Sequence, residues 1–366
     1  MIFWFLYLLL FPFHIFEEGS VQIADVLILI GIAFNLKSMF KVYFNNNLLK
    51  VFFYYTFYSL IVGIFYWILY QEPSFLKNPL NYMYCFTFIL FISVQAQNKN
   101  FNIITIISVF VSLLIQLITF LKFASNEELR ILIYFNNPNQ LGFWAINMLF
   151  ILLLYFLTLE LSRLYKIIIL ISIFLSLIFV IMSISQAAIV ASFFMISVFI
   201  ISKGYYKILF TTVIFIFILF GAKTIDTFKN ITIYENAINR IEARLDGKDD
   251  NGGIEGRNYN RIIDFPKFLI FGSGEGKNER FGTQDLNEIH STFPNILFSY
   301  GVIGLILFLY PFYFIIKKNI FSITLILLFY LSFTFLHNMI RWPLFWVIPI
   351  LVYYNKYNKI NINVRN

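Results

Sequence analysis

Cysteine occurs once, at Cys85 inside an apolar run, and histidine three times, at His14, His290 and His337. A disulfide framework and a cysteine-based metal site are therefore excluded, and three histidines leave little room for a metal cluster. Charge is scarce as well. Only 13% of the 366 residues are charged and 60% are hydrophobic, where a soluble domain carries about 25% and about 45–50%. The mean hydropathy of +0.79 excludes an ordinary soluble enzyme, a disordered chain and a coiled coil. No Asp-x-Asp and no obvious carboxylate pair appears, so neither metal nor cofactor is expected. No basic segment followed by a small-residue cleavage site marks the start, so a removed signal peptide is not expected.

What the chain does have is grease in measured lengths. A lipid span needs roughly 20 apolar residues. Apolar runs fall at 1–16, 22–40, 49–70, 80–96, 102–123, 139–158, 165–184, 187–202, 206–221, 292–316, 319–336 and 340–354. The expected fold class is therefore an all-α polytopic membrane protein of about twelve transmembrane helices with one large outer loop. Three parts are expected: helices one to nine in 1–221, a periplasmic loop with amphipathic helices in 222–291, and helices ten to twelve with a cytoplasmic tail in 292–366. The first run is the weakest, being short and interrupted by Pro12 and His14.

The net charge of +8 sorts by side. With the N-terminus in the cytoplasm, one face receives Lys37, Lys41, Lys50, Lys99, Arg163, Lys166, Lys203, Lys207, Lys317, Lys318, Lys356, Lys359 and Arg365 against Glu160 alone. The short connections of the other face balance Lys77, Lys122, Arg130 and Arg341 against a larger number of acids. The basic excess thus lies on one side, as the positive-inside rule requires. Both termini are expected in the cytoplasm. No basic patch remains for nucleic acid.

The spans hold almost no ionisable groups, which counts against an ion-coupled carrier. No polar rings suggest a pore. Trp67, Tyr70 and Trp342 fall near span ends, as an interfacial belt would. Within the large loop, Ile231, Tyr234, Ile238, Ile241 and Leu245 are spaced for one apolar helix face, read as a helix lying on the membrane or the bundle. The polar oddities gather at the outer ends. Asn136-Asn137-Pro138-Asn139-Gln140 opens the sixth span and has the chemistry of a helix cap. Ser183-Ile184-Ser185-Gln186 forms an outer turn, His290-Ser291-Thr292 opens the tenth span, and His337-Asn338 and Arg341 occupy the turn before the twelfth. Each has an ordinary structural explanation; that all lie on one face argues for a polar site opening outward.

Four pieces, in order, carry a resemblance: Asn137-Pro138-Asn139-Gln140-Leu141-Gly142; Ser183-Ile184-Ser185-Gln186-Ala187-Ala188; Arg257 and Arg261 ahead of Pro266 and Gly272-x-Gly274-x-Gly276; and His290-Ser291-Thr292 followed by Tyr300-Gly301-Val302-Ile303-Gly304. Over about residues 130–350 the chain resembles the O-antigen ligases and O-antigen polymerases of bacterial surface polysaccharide assembly. The resemblance implies a membrane glycosyltransferase in the bacterial inner membrane with its site facing the periplasm. Its donor would be an oligosaccharide on undecaprenyl pyrophosphate. Membrane lipid and a chain-length regulator protein are the other partners implied. Gln186 stands where the family often has an arginine that holds the lipid pyrophosphate. That departure and the short chain look more like a polymerase, the ligase and a lipid-linked oligosaccharide flippase being the alternatives.

The chemistry implied is direct, metal-independent displacement with inversion at the sugar carbon. His290 would take the acceptor proton, imidazole being the side chain most often used as a general base. Arg257 and Arg261 would fork onto phosphate as charge develops on the leaving group. Asn137, Asn139, Gln140, Ser185, Gln186 and Gly274 would bind sugar or phosphate, and Arg341 and Arg130 are further candidates by location for the role that Gln186 cannot fill.

Overall fold

A computed structural model describes residues 1–14, 16, 21–123, 134–135, 137–204, 257–282, 288–317 and 319–363, with side chains of the last helix through residue 355. The proposed amphipathic stripe at 231–245, the run at 206–221 and Arg130 lie outside the described residues.

Among the described residues the fold is all helical: α1 Ile2–Leu10, α2 Ile23–Asn45, α3 Asn47–Tyr70, α4 Ser74–Gln95, α5 Phe101–Phe123, α6 Pro138–Thr158, α7 Arg163–Met182, α8 Gln186–Ser202, the short α9 Asn260–Asp264, α10 Thr292–Ile316, α11 Phe321–Leu336 and α12 Pro343–Asn363. Six of these (α2, α3, α5, α6, α7 and α10) are long and apolar enough to cross a membrane, and α8, α11 and α12 add shorter apolar helices. The chain is a multi-pass membrane protein by this measure.

The first expected span is not a full one. Its helix has nine residues, about 14 Å at 1.5 Å per residue, against a hydrocarbon core of about 30 Å. Pro12 lacks the N–H to continue it. The short helix is instead held by the bundle: Trp4 is fully buried and its indole N–H donates to Thr105 of α5 at 2.9 Å.

At the centre stands α6, almost wholly buried and in contact with α5, α7, α8, α11 and α12. Pro138 occupies its first turn and the Asn137 side-chain oxygen accepts from the Gln140 N–H at 3.0 Å, the cap that this sequence predicts. A buried hydrogen bond, Tyr330 hydroxyl to Asn147 side-chain oxygen at 3.0 Å, ties α11 to its middle. Elsewhere α3 and α4 approach closely because Gly63 has no Cβ: one built there would stand 2.8 Å from both the Phe75 carbonyl and the Pro79 ring. Pro79 has no N–H for that carbonyl.

The connections between the described helices gather at two chemically distinct ends of the bundle. At one, Asn46 ahead of α3 donates to Tyr354 of α12 at 3.1 Å, and Asn355 of α12 donates to Thr158 at the finish of α6. Lys50, Lys99, Arg163, Lys166, Lys203 and Lys317 lie in or beside the connections here; this is the basic end. The opposite end carries the turns after α3, α7 and α11 and residues 257–291, and is called the loop end.

Candidate functional site

The loop end is organised by a break in α10. Gly301 has φ 69° and ψ −176°, conformational space open to glycine. The break removes the usual intrahelical partners of three backbone groups, and residues 269–274 supply them. Val302 N–H donates to the Leu269 carbonyl at 2.7 Å; Ser273 and Gly274 N–H donate to the Phe298 and Ser299 carbonyls at 2.9 and 2.8 Å. Glycine is demanded by proximity as well as by φ. A Cβ on Gly301 would overlap the Ile270 carbonyl, and one on Gly272, at φ 90°, would overlap the backbone of Ser299 and Tyr300. The alternate glycines of the loop and the glycine of α10 are thus two halves of one splice.

That splice lies within the bundle. Val302 is ten residues into α10, about 15 Å along it. From α3, Tyr58 and Tyr66 donate hydroxyl hydrogen bonds to the Phe271 and Gly272 carbonyls at 3.0 and 2.8 Å. The chain then climbs back: Gly274 packs on Tyr66, and Gly276 on the backbone at Ser74 and Phe75, the start of α4. Residues 261–276 form a re-entrant hairpin with its tip near residue 271, about 10–15 Å below the helix ends. Non-helical backbone at such depth is tolerated where protein satisfies its polar groups, and here the Leu269, Phe271 and Gly272 carbonyls and the Gly272, Ser273 and Gly274 N–H groups are so bonded.

Glu275 rides on the ascending limb. It is only 4% exposed. One carboxylate oxygen accepts from the Tyr82 hydroxyl of α4 at 2.6 Å and the Tyr300 hydroxyl of α10 at 3.0 Å. The other accepts from the Asn295 amide at 3.0 Å and from the Arg341 guanidinium at 2.6 Å. Arg341, in the turn between α11 and α12, also pairs with Glu288. Burial alone would raise the Glu275 pKa; Arg341 and the donated hydrogen bonds overcome it and hold the carboxyl below the usual glutamate range. Burial alone would lower the Arg341 pKa; its two carboxylate partners hold it above its ordinary value. Arg341 and Glu288 keep about 30% and 28% of their side-chain surface open, so the outer half of this triad faces the loop-end surface.

The remaining loop pieces assemble beside it. His290 is exposed, its N–H donating to the Arg257 carbonyl at 3.4 Å. Arg257 donates to the Leu336 carbonyl, the last residue of α11, at 2.6 Å, a favourable place for a cation at a helix C-terminus. Asn258 donates to the Glu288 carbonyl at 3.3 Å, and the Tyr259 hydroxyl pairs with that of Ser291. Thr292 accepts from the Met339 N–H and donates to the His337 carbonyl, both at 3.0 Å. Arg257, His290, Glu288 and the α11–α12 turn therefore form one cluster. Arg261 lies apart: it is buried, donates to Asn278 at 3.2 Å and faces the Phe281 ring at 5.6 Å. Gly274 holds its place by backbone and close packing.

The first two sequence motifs meet each other. A Cβ on Gly142 would stand 2.9 Å from the Ser183 hydroxyl and 3.2 Å from the Ser185 Cβ, so the start of α6 leans directly on the α7–α8 turn. Ser185 is buried, and its hydroxyl has no hydrogen-bond partner among the described residues. Asn137 spends its side-chain oxygen on the cap of α6; Asn139, Gln140 and Gln186 stand on the same end, at the starts of α6 and α8. Phe143 bridges the two halves of the loop end, its ring centroid 5.5 Å from that of Trp342, the residue after Arg341. All four motifs thus reach one end of the bundle, joined through aromatic packing and not by a direct polar contact between Ser185 and His290.

Sequence reasoning passed over Glu275, Glu288, Tyr82 and Asn295 as site residues, and read Tyr300 only as part of the fourth motif. The signal for Glu275 was present: one carboxylate among alternate glycines beside apolar residues, with Arg341 standing in a stretch almost free of charge. Tyr82 carried no signal, because a tyrosine among many aromatics looks like bulk, and Asn295 none, because one amide near a span start looks like an ordinary polar turn.

Residues 171–309 match the family model described as O-antigen ligase. No curated protein matches the chain. The matched stretch takes in the α7–α8 turn, the re-entrant hairpin, His290-Ser291-Thr292 and the broken α10; it stops before Arg341. Over this stretch the chain is similar to the O-antigen ligase family, as its motifs imply.

Proposed function

We propose that the chain is a membrane glycosyltransferase of the O-antigen polymerase type. It joins oligosaccharide repeat units carried on undecaprenyl pyrophosphate at the loop end of the bundle, which faces the periplasm of a bacterial inner membrane. The observation that carries this reading is the convergence of Arg257, His290, Glu288 and Arg341 from two separate connections onto one surface at the end remote from the basic connections.

In this proposal the acceptor sugar hydroxyl attacks the anomeric carbon of the donor. Its proton passes to His290, exposed and free to meet a substrate. The carbon–oxygen bond to pyrophosphate breaks, the electron pair leaves with the phosphate, and the configuration inverts. Arg257 and the open side of Arg341 face the charge that develops on the leaving group. Glu275 and Glu288 fix the Arg341 guanidinium before substrate arrives, which removes the reorganisation cost from the reaction itself. Arg261, buried against Asn278, supports the hairpin. Ser185, with an unpaired buried hydroxyl, and the Asn139–Gln140 and Gln186 ends of α6 and α8 line the sugar path. The reaction needs no metal, and a chain-length regulator would meet the loop end from outside.

The family description favours a second reading, the ligase, with the same donor and the lipid A core as acceptor. One strain lacking the chain separates the two. Single-repeat chains on the core identify a polymerase, and bare core a ligase. Complementation with His290→Ala should leave the protein folded and abolish polymer; unchanged long chains would remove His290 from the mechanism.

A further inference from the structure

We propose that the descending limb of the re-entrant hairpin, residues 261–271, is a membrane segment whose outward face is covered by lipid acyl chains of the leaflet at the loop end. A hydropathy reading assigns these residues to an aqueous loop, because Arg261, Asp264, Pro266 and Lys267 interrupt them. Three observations place them otherwise. First, the tip is anchored at depth by the Tyr58 and Tyr66 hydroxyls and by the broken turn of α10. Second, the Leu269, Phe271 and Gly272 carbonyls and the Gly272, Ser273 and Gly274 N–H groups are bonded to protein, as non-helical chain at membrane depth requires. Third, large apolar side chains of the limb are exposed: Ile263 is 75% exposed, Ile270 60% and Phe271 66%.

This exposed face continues the outward faces of α3 and α10. Ile61 lies one turn from Tyr58, which holds Phe271, and Val302, which holds Leu269, is itself exposed. An acyl chain that covers Ile61 and Val302 meets Ile270 and Phe271 at the same level. Asp264 and Lys267 stand exposed ahead of the tip, so the uninterrupted apolar patch is Ile270 and Phe271. Arg261 is turned inward to Asn278. Lys267 packs its ammonium 5.2 Å from the Phe268 ring and has the aliphatic stem to reach headgroups from below.

Site-directed spin labelling tests the assignment on the full chain. Cys85 is the one native thiol; in a Cys85→Ala background, Phe271→Cys and Ile270→Cys are labelled separately and reconstituted in phosphatidylcholine vesicles. Collision with molecular oxygen reports lipid, and collision with a water-soluble nickel chelate reports water. Phe34→Cys, on an exposed face of α2, is the lipid reference, and Glu279→Cys, at an exposed loop position, the aqueous one. Both test positions should match the Phe34 pattern, oxygen-rich and nickel-poor. Nickel collision equal to that at Glu279 would overturn the proposal, as would exclusion of both reagents, which means cover by protein. Should Phe271→Cys fail to fold, Ile270→Cys and Ile263→Cys carry the same reading.

Discussion

Glu275 and Arg341, sixty-six residues apart in the chain, pair at 2.6 Å inside the loop end of the bundle. The pair joins the re-entrant hairpin to the α11–α12 turn, and through Tyr82 and Tyr300 it joins both to α4 and α10. No helix–helix apolar contact could fix the hairpin this specifically, because dispersion forces are not directional.

Removing one partner of a buried ion pair leaves the other uncompensated and costs about 3–5 kcal/mol. Glu275→Ala is therefore expected to lower the unfolding temperature in detergent markedly. Glu288→Gln should cost less, about 1 kcal/mol or under, since its side chain is partly exposed and Arg341 keeps Glu275. Equal losses in the two variants would mean that Glu275 does not organise the hairpin.

The same pair sets an acid limit. Arg341 and the hydrogen bonds hold the Glu275 carboxyl below its ordinary value against the opposing effect of burial. A carboxylate with a depressed pKa in the folded state contributes stability above the unfolded value of about 4.3, lost as pH falls through the folded value. Thermal unfolding followed from about pH 7 down to about pH 3 should show a decline below about pH 4.3 that Glu275→Gln reduces. Identical pH profiles would exclude this linkage.

The splice between hairpin and α10 predicts unequal costs for glycine replacement. Gly204→Ala meets nothing within 4 Å but sits at φ 76°, so it should cost about 1–2 kcal/mol. Gly301→Ala adds overlap with the Ile270 backbone to the same conformational strain. It should reduce folded protein in the membrane far more, as read by yield and unfolding temperature.

Arg280 gives a test of shape against charge. Its guanidinium lies 4.5 Å from the Phe281 ring, 4.6 Å from Phe75, 5.1 Å from Tyr66 and 5.3 Å from Tyr70. It also donates to the Gly274 carbonyl at 2.9 Å and to that of Ser273. Lysine keeps the charge and loses the planar stack and fork. Arg280→Lys is expected to lose about 1–2 kcal/mol, with the hairpin more open to protease; wild-type behaviour would make the aromatic box incidental.

Much of the fold was legible. The apolar runs that fall among the described residues became helices because lipid-length hydrophobic stretches must satisfy their own backbone, and the Asn137-Pro138 start of α6 formed the cap that its chemistry predicts. The first run read longer than its helix because hydropathy does not register the lost donor at Pro12. The candidate site was legible only in part. Arg257, His290 and Arg341 do gather, but Arg261, chosen for its charge, turns inward to Asn278. Charge in a sequence says nothing of direction.

The sequence by itself determined the class of protein, the helices among the described residues and the separation of a basic end from a polar one, because hydropathy and charge act locally and sum along the chain. Only the tertiary structure decided that Gly272 and Gly301 form one splice, that Glu275 clamps Arg341, and that part of an apparent loop re-enters the bundle. Those outcomes depend on which distant backbones can approach within a hydrogen bond, and that is a property of packing in three dimensions.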